Sequence, residues 1–432
     1  MAEMIRFLPV LLAFILMFMG IPVQLALLGG ALFYFGVLNT TLPMTSVIQS
    51  LVSQGMSTSL LACPFFILAG CIMNYSGITT VLLDFCDKLL GHKKGGLGYV
   101  NILLSTLNGG MCGSATADAA LQCKILVPEM ERLGYPRAFA TAVTAASSLI
   151  TPIIPPGVPL ILYGIMTGVS VGKMWTAGYV PGVMLCLAMM VVVYIYSHKY
   201  NWKGNRDKRA SWSELGAAFL KSIWAFAIPI FIIFGLRSGF FTATEGGTVI
   251  IVLALFIGGV IYRQLKPSHI KPILREAFSS TANIMLIIVS AMTFSTYLSW
   301  ERIPQDLAAM LMDFSGNKWV FLIIANLLIF VMGMFLDGSA LLLILTPLLY
   351  PIAAAYEIDL IVFGMIMLVN LYCGCLTPPF GTLMYITCNL TDVSVPQFVK
   401  YAWGFIVAML SVMLLMAIFP GIVTFLPNLI YG

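Results

Sequence analysis

Two series of long apolar runs restrict this chain to a fold that crosses a membrane several times. They lie near residues 7–20, 23–38, 57–74, 138–170 and 177–197, and near residues 223–236, 246–263, 278–299, 360–390 and 400–425. Only 9% of the residues are charged, against roughly 25% in an ordinary soluble domain. Runs of this length are typical of membrane-spanning helices. The sequence therefore predicts an all-α polytopic membrane protein with five crossings in each half, and the first run is interpreted as a span rather than as a signal peptide.

Between the third and fourth crossing of each half lies one further apolar block with a polar interruption. The blocks cover residues 97–130 and 319–351. The interruptions are NGGMCGSATAD (Asn108–Asp118) and FLDGS (Phe335–Ser339). Both patterns predict re-entrant hairpins with polar tips.

A double proline breaks the fourth crossing of each half in the same way. The segments are SSLITPIIPPG (Ser147–Gly157) and CGCLTPPFG (Cys373–Gly381), and a shift of 223 residues places Pro155 on Pro378. Proline inside a helix costs about 3 kcal/mol, so two matched breaks favour a shared function over a simple kink. An odd number of crossings per half inverts the second half. We therefore expect two inverted repeats, residues 1–212 and 213–432.

The breaks and tips predict two cation sites that flank a substrate cavity. Non-helical backbone at membrane depth persists only where it is buried in protein or lines a polar cavity, and its carbonyls and hydroxyls are suitable ligands for Na⁺. The predicted ligands, about two ions in all, are Ser114, Ser147, Ser148, Thr151 and Pro155 at one site, and Asp337, Gly338, Asn370, Thr377 and Pro378 at the other. The predicted substrate contacts are Gly113, Ser114, Thr116, Ser339 and Arg302.

Three further charged residues keep two interpretations each. Asp118 either caps the second hairpin helix or contacts an ion, and Glu245 is interpreted as a helix cap or scaffold contact in preference to a site. Arg302 either attracts a carboxylate substrate or partner protein, or is an interfacial arginine whose charge reaches the membrane surface.

Basic residues predict the orientation of the chain. Lys and Arg concentrate in the loops after crossings three, five and seven, whereas residues 39–55 contain none. Cytoplasmic loops collect positive charge, so both termini are expected in the periplasm of a bacterial inner membrane.

Several functional classes lack their sequence signals. No GxxxxGK[ST] phosphate loop occurs, the Cys373 and Cys375 pair lacks the rest of a zinc site, and the basic residues form no stripe for nucleic acid. A hydrolase would need a base near Ser147 or Ser148, but the histidines lie in predicted loops. Two dead-end hairpins do not favour a continuous channel.

Three segments carry a resemblance to a known family. They are Gly113–Gly164, FTATEGG (Phe241–Gly247), and Gly333–Gly381, which contains GMFLDGSALLLILTPLLYPIA and MLVNLYCGCLTPPFG. They resemble the large membrane subunit, of the DctM type, of tripartite ATP-independent periplasmic (TRAP) transporters, and the likeness covers essentially the whole chain. The wording GMCGS at the first tip and LYCGCLTPP before the second break departs from the commoner family pattern.

The resemblance implies a Na⁺-coupled secondary importer of organic acids, not an enzyme, with an elevator fold. It implies scaffold helices at about 1–90 and 213–300, and transport-domain parts at about 91–200 and 315–432. The implied partners are a small four-helix membrane subunit, expected as a separate chain, a periplasmic substrate-binding protein, the substrate and membrane lipid. The sialic-acid branch is favoured over C4-dicarboxylate carriers. The alternative is a Na⁺-coupled carboxylate symporter that works without a binding protein.

Cysteine labelling tests the predicted orientation. Single cysteines introduced in residues 39–55 should react with a membrane-impermeant maleimide added to intact cells, because that loop is expected outside. Cysteines in residues 197–213 should react only after the cells are opened. The opposite pattern would contradict the topology.

Overall fold

The structure is a computed structural model that describes residues 5–39, 44–56, 58–314 and 316–432. Within these ranges the chain forms helices joined by short turns, and no strand is present. The α-helices are α1 (Leu8–Phe18), α2 (Val23–Phe33), α3 (Met44–Gly55), α4 (Ala62–Tyr75), α5 (Ile78–Leu90), α6 (Gly96–Cys112), α7 (Ala115–Arg132), α8 (Arg137–Ser148), α9 (Val158–Thr167), α10 (Val171–Tyr200), α11 (Trp212–Arg237), α12 (Ala243–Phe256), α13 (Ile270–Trp300), α14 (Ile303–Phe314), α15 (Lys318–Gly333), α16 (Gly338–Ala355), α17 (Leu360–Cys375), α18 (Thr382–Thr391), α19 (Val395–Ile418) and α20 (Gly421–Tyr431).

Six helical segments of the described chain are long and apolar enough to span a membrane. They are Val171–Tyr200, Trp212–Arg237, Thr244–Ile261, Pro267–Trp300, Gly338–Ala355 and Val395–Ile418. A seventh is counted if α4 and α5, which are bent by 65° at their junction, act as one span. These segments make the chain a polytopic membrane protein.

The first apolar run forms a shorter helix than the sequence predicts, whereas the second is helical along its whole predicted length. Helix α1 has 11 residues. Helix α2 has 11 residues and continues as a π-helical turn at Tyr34–Leu38, so residues 23–38 are helical throughout. The segment at residues 39–55, expected as an outer loop, contains α3, and its residues 40–43 lie outside the described residues. Helices α5 and α14 were likewise not predicted.

The two predicted helix breaks are present where the prolines place them. Helix α8 ends at Ser148 and α9 begins at Val158, so residues 149–157 form the first break. Helix α17 ends at Cys375 and α18 begins at Thr382, so residues 376–381 form the second. In both breaks the peptide bond between the paired prolines is cis.

Each predicted hairpin is a pair of consecutive helices joined at a short tip. In the first, α6 and α7 contact each other and meet at residues 113–114. In the second, α15 and α16 contact each other and meet at residues 334–337. The polar interruptions in the sequence therefore mark the turns between the helices.

The hairpins and breaks of the two halves pack against each other reciprocally. Helix α9, after the first break, packs on α16 of the second hairpin, and α18, after the second break, packs on α7 of the first hairpin. The Thr141 hydroxyl in α8 donates a hydrogen bond of 2.9 Å to the Thr391 hydroxyl in α18. The Tyr163 hydroxyl in α9 donates one of 2.7 Å to the Leu360 carbonyl in α17. The packing therefore joins residues far apart in the sequence around the two tips.

The remaining long helices form a second group of contacts. Helix α13 packs on α2 and α4, α12 packs on α4, and α11 packs on α5. Helix α13 also contacts α16. It therefore faces the hairpins and closes one side of the space between the two groups.

Candidate functional site

The first hairpin tip is a glycine turn followed by a capped helix. Gly113 has a φ of +59°, a conformation that favours glycine because it has no Cβ. Ser114 is the N-cap of α7, and its hydroxyl accepts a hydrogen bond from the Ala117 amide at 3.4 Å. The hydroxyls of Ser114 and Thr116 lie 3.1 Å apart. The tip therefore presents two hydroxyls at a helix N-terminus.

This tip lies directly against the first break. A Cβ at Gly113 would lie 3.3 Å from the Pro156 carbonyl oxygen, and one at Gly110 would lie 3.5 Å from that of Pro155. At Gly109 a Cβ would approach Ile154 to 2.7 Å. The glycines of the hairpin therefore allow its backbone to approach the carbonyls of the break.

A fully buried polar network lies behind the first tip. The Ser105 hydroxyl donates to one carboxylate oxygen of Asp118 at 2.6 Å, and the Gln122 amide donates to the same oxygen at 2.8 Å. The Asn108 amide donates to the other oxygen at 3.0 Å. Ser147 lies 3.1 Å from the Ser105 hydroxyl through its own hydroxyl. The network connects α6, α7 and the end of α8, and so connects the tip to the break.

The capping interpretation of Asp118 is wrong. Its carboxylate is completely buried and accepts from side chains of the network rather than from the N-terminal amides of α7, which Ser114 caps. The capping interpretation of Glu245 is confirmed. Its carboxylate accepts from the Thr242 amide at 2.8 Å, and the Thr242 hydroxyl accepts from the Glu245 amide at 3.4 Å.

The other predicted ligands of the first site are buried close to the same break. The Ser148 hydroxyl donates to the Thr144 carbonyl at 2.8 Å, and the Thr151 hydroxyl donates to the Ser105 carbonyl at 3.3 Å. Ser147, Ser148 and Thr151 are all fully buried. The Thr151 oxygen is therefore held by the first hairpin, and the Ser148 oxygen by α8 itself.

The second tip also ends in a capped helix and contacts the second break. Asp337 is the N-cap of α16 and accepts a hydrogen bond from the Ser339 amide at 3.0 Å. A Cβ at Gly338 would lie 2.7 Å from the Tyr372 ring, and one at Gly333 would lie 2.8 Å from the Leu371 carbonyl oxygen. The second hairpin therefore packs closely on the end of α17.

Asn370 carries an unpaired oxygen next to the second break. Its amide nitrogen donates to the Asn326 carbonyl at 2.7 Å and to the Asn326 side-chain oxygen at 2.8 Å. The Asn370 side-chain oxygen is buried and has no hydrogen-bond partner. Thr377, in the break, is buried and donates to the Cys373 carbonyl at 2.8 Å. A buried acceptor without a donor is costly, and a cation would satisfy it.

Both tips and α13 line one cavity of about 500 Å³. Its wall includes Gly113, Ser114 and Thr116 of the first tip, and Asp337 and Ser339 of the second. These include four of the five predicted substrate contacts. The fifth, Arg302, does not line the cavity and lies beyond the far end of α13, about 20 Å along the helix axis from Ile287, the last residue of that helix in the cavity wall.

Three helix N-termini face this cavity. They belong to α7 at Ser114, to α9 at Val158 and Pro159, and to α16 at Asp337. Among the described residues, the cavity lining includes two carboxylates, Asp337 and Glu276, and no Lys or Arg. A helix N-terminus carries roughly half a positive charge. The cavity therefore combines three partial positive charges with two full negative ones.

The cavity adjoins a second cavity with basic residues in its wall, which we call the basic mouth. This second cavity, of about 520 Å³, shares Glu276 and Ser280 with the first and is also lined by Lys271 and Arg275 near the start of α13. Both cations lie in the first two turns of α13, a region that the charge distribution predicts to be cytoplasmic. The first cavity therefore adjoins the start of α13.

Comparison with known proteins identifies the family. A model of the "Tripartite ATP-independent periplasmic transporter, DctM component" matches residues 10–422. The chain is 36% identical over 419 residues to the sialic acid TRAP transporter large permease protein SiaM of Vibrio cholerae, with 96% of this chain and 97% of the relative covered. The chain belongs to the DctM family. It is also 34% identical to the sialic acid TRAP transporter permease protein SiaT of Haemophilus influenzae, with 96% of this chain and 67% of the relative covered. The chain is 33% identical to the 2,3-diketo-L-gulonate TRAP transporter large permease protein YiaN of Escherichia coli, with 94% of this chain and 94% of the relative covered.

Sequence reasoning missed several polar residues of this DctM-family site. Asn101, Ser105 and Asn108 recur at helical spacing on one face of an otherwise apolar helix, which is a signal for a buried polar face. Glu276 and Asn283 recur in the same way on α13, and both line the cavity. Tyr372 also lines the cavity, but no local pattern distinguishes it from a core tyrosine.

The buried network gives a stability prediction. Asp118→Asn should lower the free energy of unfolding by about 1 to 3 kcal/mol. The NH2 group of asparagine would replace one of the two carboxylate oxygens that now accept hydrogen bonds from the network, so one donor of the network would lose its acceptor. Thermal unfolding of the purified protein in detergent measures this. Asp84→Asn is the matched control, since Asp84 is exposed and pairs with the partly buried Lys88 at the protein surface. Equal unfolding temperatures for the two variants would contradict the structural role of the Asp118 charge.

Proposed function

We propose that this protein is the large permease of a TRAP transporter and imports an organic acid together with Na⁺. The observation that carries the proposal is the convergence of three helix N-termini on one cavity, in whose wall the described part of the chain places no Lys or Arg. Helix N-termini bind carboxylates through their amides and partial positive charge. An organic acid is therefore the substrate class that fits the cavity.

Charge balance supports Na⁺ coupling. Three helix N-termini supply roughly +1.5 in total, whereas Asp337 and Glu276 supply two negative charges. An anionic substrate would therefore enter a cavity with no net attraction for it. About two sodium ions at the breaks would make the site net positive, so ion loading would favour substrate binding.

The residues fit two cation sites of hard oxygens. Ser114, Ser147, Ser148, Thr151 and the Pro155 carbonyl would hold one ion. Asp337, the Gly338 and Pro378 carbonyls, Asn370 and Thr377 would hold the other. The unpaired buried oxygen of Asn370 supports the second assignment. The close approach of the first tip to the Pro155 and Pro156 carbonyls supports the first pairing. The second pairing is supported by the ring contact between Phe335 in the tip and Phe380 in the break, whose centroids lie 5.6 Å apart.

The reciprocal packing supports an inverted repeat and an elevator mechanism. The contacts of α9 with α16 and of α18 with α7 exchange under the shift of 223 residues that aligns the prolines. A pseudo-two-fold axis in the membrane plane relates repeats of this kind. The hairpins, breaks, α10 and α19 would move as one transport domain against α2, α4, α11, α12 and α13. The basic mouth would then be the cytoplasmic exit of an inward-facing state, and both termini would be periplasmic.

The relatives support the class of substrate and partners. Two of the compared relatives are named for sialic acid and one for 2,3-diketo-L-gulonate, and both compounds are organic acids. We assign the same class to this chain, with sialic acid as the first compound to test. The proposal includes a small membrane subunit and a periplasmic binding protein that delivers the substrate.

Uptake into vesicles tests the function. The chain, reconstituted with its small subunit, should accumulate labelled sialic acid or a C4-dicarboxylate only with an inward Na⁺ gradient and the loaded binding protein. Initial rates are measured with Na⁺ or K⁺ outside, with and without binding protein. Equal rates in K⁺ would contradict Na⁺ coupling. Equal rates without the binding protein would favour the independent symporter.

Asp337→Asn separates the charge at the second tip from its role as a cap. Asparagine caps helices about as well as aspartate, so α16 should remain intact. The Na⁺ concentration for half-maximal uptake should rise at least about tenfold, equivalent to about 1.4 kcal/mol. Asp359→Asn is the control, because Asp359 caps α17 through the Ile361 and Val362 amides and does not line the cavity. An unchanged Na⁺ dependence in Asp337→Asn would exclude the carboxylate as an ion ligand.

A further inference from the structure

Two loops that are far apart in the sequence form one basic surface on the side predicted to be cytoplasmic. The loops connect α5 to α6 and α10 to α11. Their cations form a group that we call the basic patch, which consists of Lys93, Lys94, Lys203, Arg206, Lys208 and Arg209. We propose that the basic patch binds the phosphate headgroup of an anionic phospholipid.

Hydrogen bonds between the loops hold the patch together. The backbone amides of Asn205 and Arg206 both donate to the Gly91 carbonyl, at 2.8 and 3.2 Å. The Lys94 ammonium donates to the Asn201 side-chain oxygen at 3.0 Å. A Cβ at Gly204 would lie 2.5 Å from the Gly91 carbonyl oxygen. The cations are therefore attached to two backbones in direct contact, and not to independent flexible loops.

An aromatic cluster anchors the second loop to the protein interior. Trp202 is buried, and its ring centroid lies 4.3 Å from that of Phe139 and 5.0 Å from that of Tyr135. The Tyr135 hydroxyl donates to the Lys203 carbonyl at 2.9 Å. This anchor reduces the conformational entropy that the loop would lose on binding a ligand.

The surroundings of His92 show that positive charge is concentrated in the basic patch. Its pKa is lowered by burial and then by the charges of Arg209, Lys93 and Arg206. Its Nδ1 atom is buried and has no hydrogen-bond partner. Three cations therefore lower the pKa of one imidazole, and the Nδ1 atom of that imidazole has no hydrogen-bond partner. A bound phosphate would balance the positive charge and would be a partner for Nδ1.

Protein carboxylates neutralise the patch only in part. Among the described residues, none of its six cations belongs to an ion pair. Of the nearby carboxylates, Asp87 accepts from Asn205 and Asp84 pairs with Lys88. Glu214 accepts from the Ser211 amide at the start of α11, and its charge interacts with that of Arg206. Asp207 is the one carboxylate within the sequence of the second loop. The patch therefore retains a positive charge that an external anion can balance.

The position of the patch favours a lipid over a soluble anion. It lies between the end of α10 at Tyr200 and the start of α11 at Trp212. Exposed apolar side chains follow within two or three turns, including Ile195 on α10 and Leu220 on α11, which are 57% and 65% exposed. The Arg209 guanidinium lies 5.1 Å from the centroid of the exposed Trp212 ring, and tryptophan is enriched at the membrane surface. One ligand can thus contact the cations with its headgroup and the apolar faces with its acyl chains.

Native mass spectrometry of the full chain in detergent tests the proposal. Phosphatidylglycerol should bind in a saturable way and phosphatidylcholine at least about tenfold more weakly, because basic residues attract anionic lipid headgroups. The variant Lys94→Gln/Arg209→Gln should lose at least about tenfold in phosphatidylglycerol affinity. The control Arg263→Gln/Lys266→Gln removes the same charge from the loop between α12 and α13 and should bind as the unmodified chain does.

Three results would overturn the proposal. Equal affinity for phosphatidylcholine would show that the headgroup charge is not recognised. Equal loss of affinity in both double variants would show that only the total charge of the chain matters. Binding of inorganic phosphate as tightly as phosphatidylglycerol would assign the patch to a soluble anion. None of these results depends on the proposed transport activity.

Discussion

Backbone that leaves a helix at membrane depth must find its polar partners inside the protein, and the two proline breaks impose this requirement twice. The structure meets it by placing a helical hairpin against each break. Glycines at the first hairpin allow it to approach the carbonyls of Pro155 and Pro156, and Gly333 and Gly338 allow the second hairpin to pack on the end of α17, directly before the second break. The polar tips are therefore determined by the breaks that they face. Because the arms of both hairpins pack across the halves, the two tips also reach one cavity.

The cavity follows from the same arrangement. A helix begins directly after each hairpin tip and directly after each break. When the tips pack on the breaks, the N-termini of these helices therefore come together. Their partial charges suit an anion but do not outweigh Asp337 and Glu276. The proposed dependence of organic-acid binding on Na⁺ is thus a consequence of the charge balance, and the membership of the DctM family agrees with a transport role.

The sequence predicted the features that local chemistry determines. Prolines 155, 156, 378 and 379 located both breaks, and the polar interruptions located both tips. Helices α3, α5 and α14 were missed because they are short and mix polar with apolar residues, so a search for apolar runs passes over them. The network of Ser105, Asp118 and Gln122 was missed because Ser105 meets the other two only when α6 packs on α7. Arg302 was predicted as a substrate contact from its charge alone, but its distance from the cavity depends on the path of α13.

The number of sodium ions bound per chain tests the central claim most directly, namely that a cation joins each tip to its break. Saturation binding of radioactive Na⁺ to the purified protein measures it. The account predicts two ions in the unmodified chain. One ion should remain in Ser147→Ala/Thr151→Val, which removes hydroxyls at the first break, and one in Asn370→Ala/Thr377→Val, which removes oxygens at the second. Absence of saturable binding, or full retention of two ions in both variants, would contradict the account.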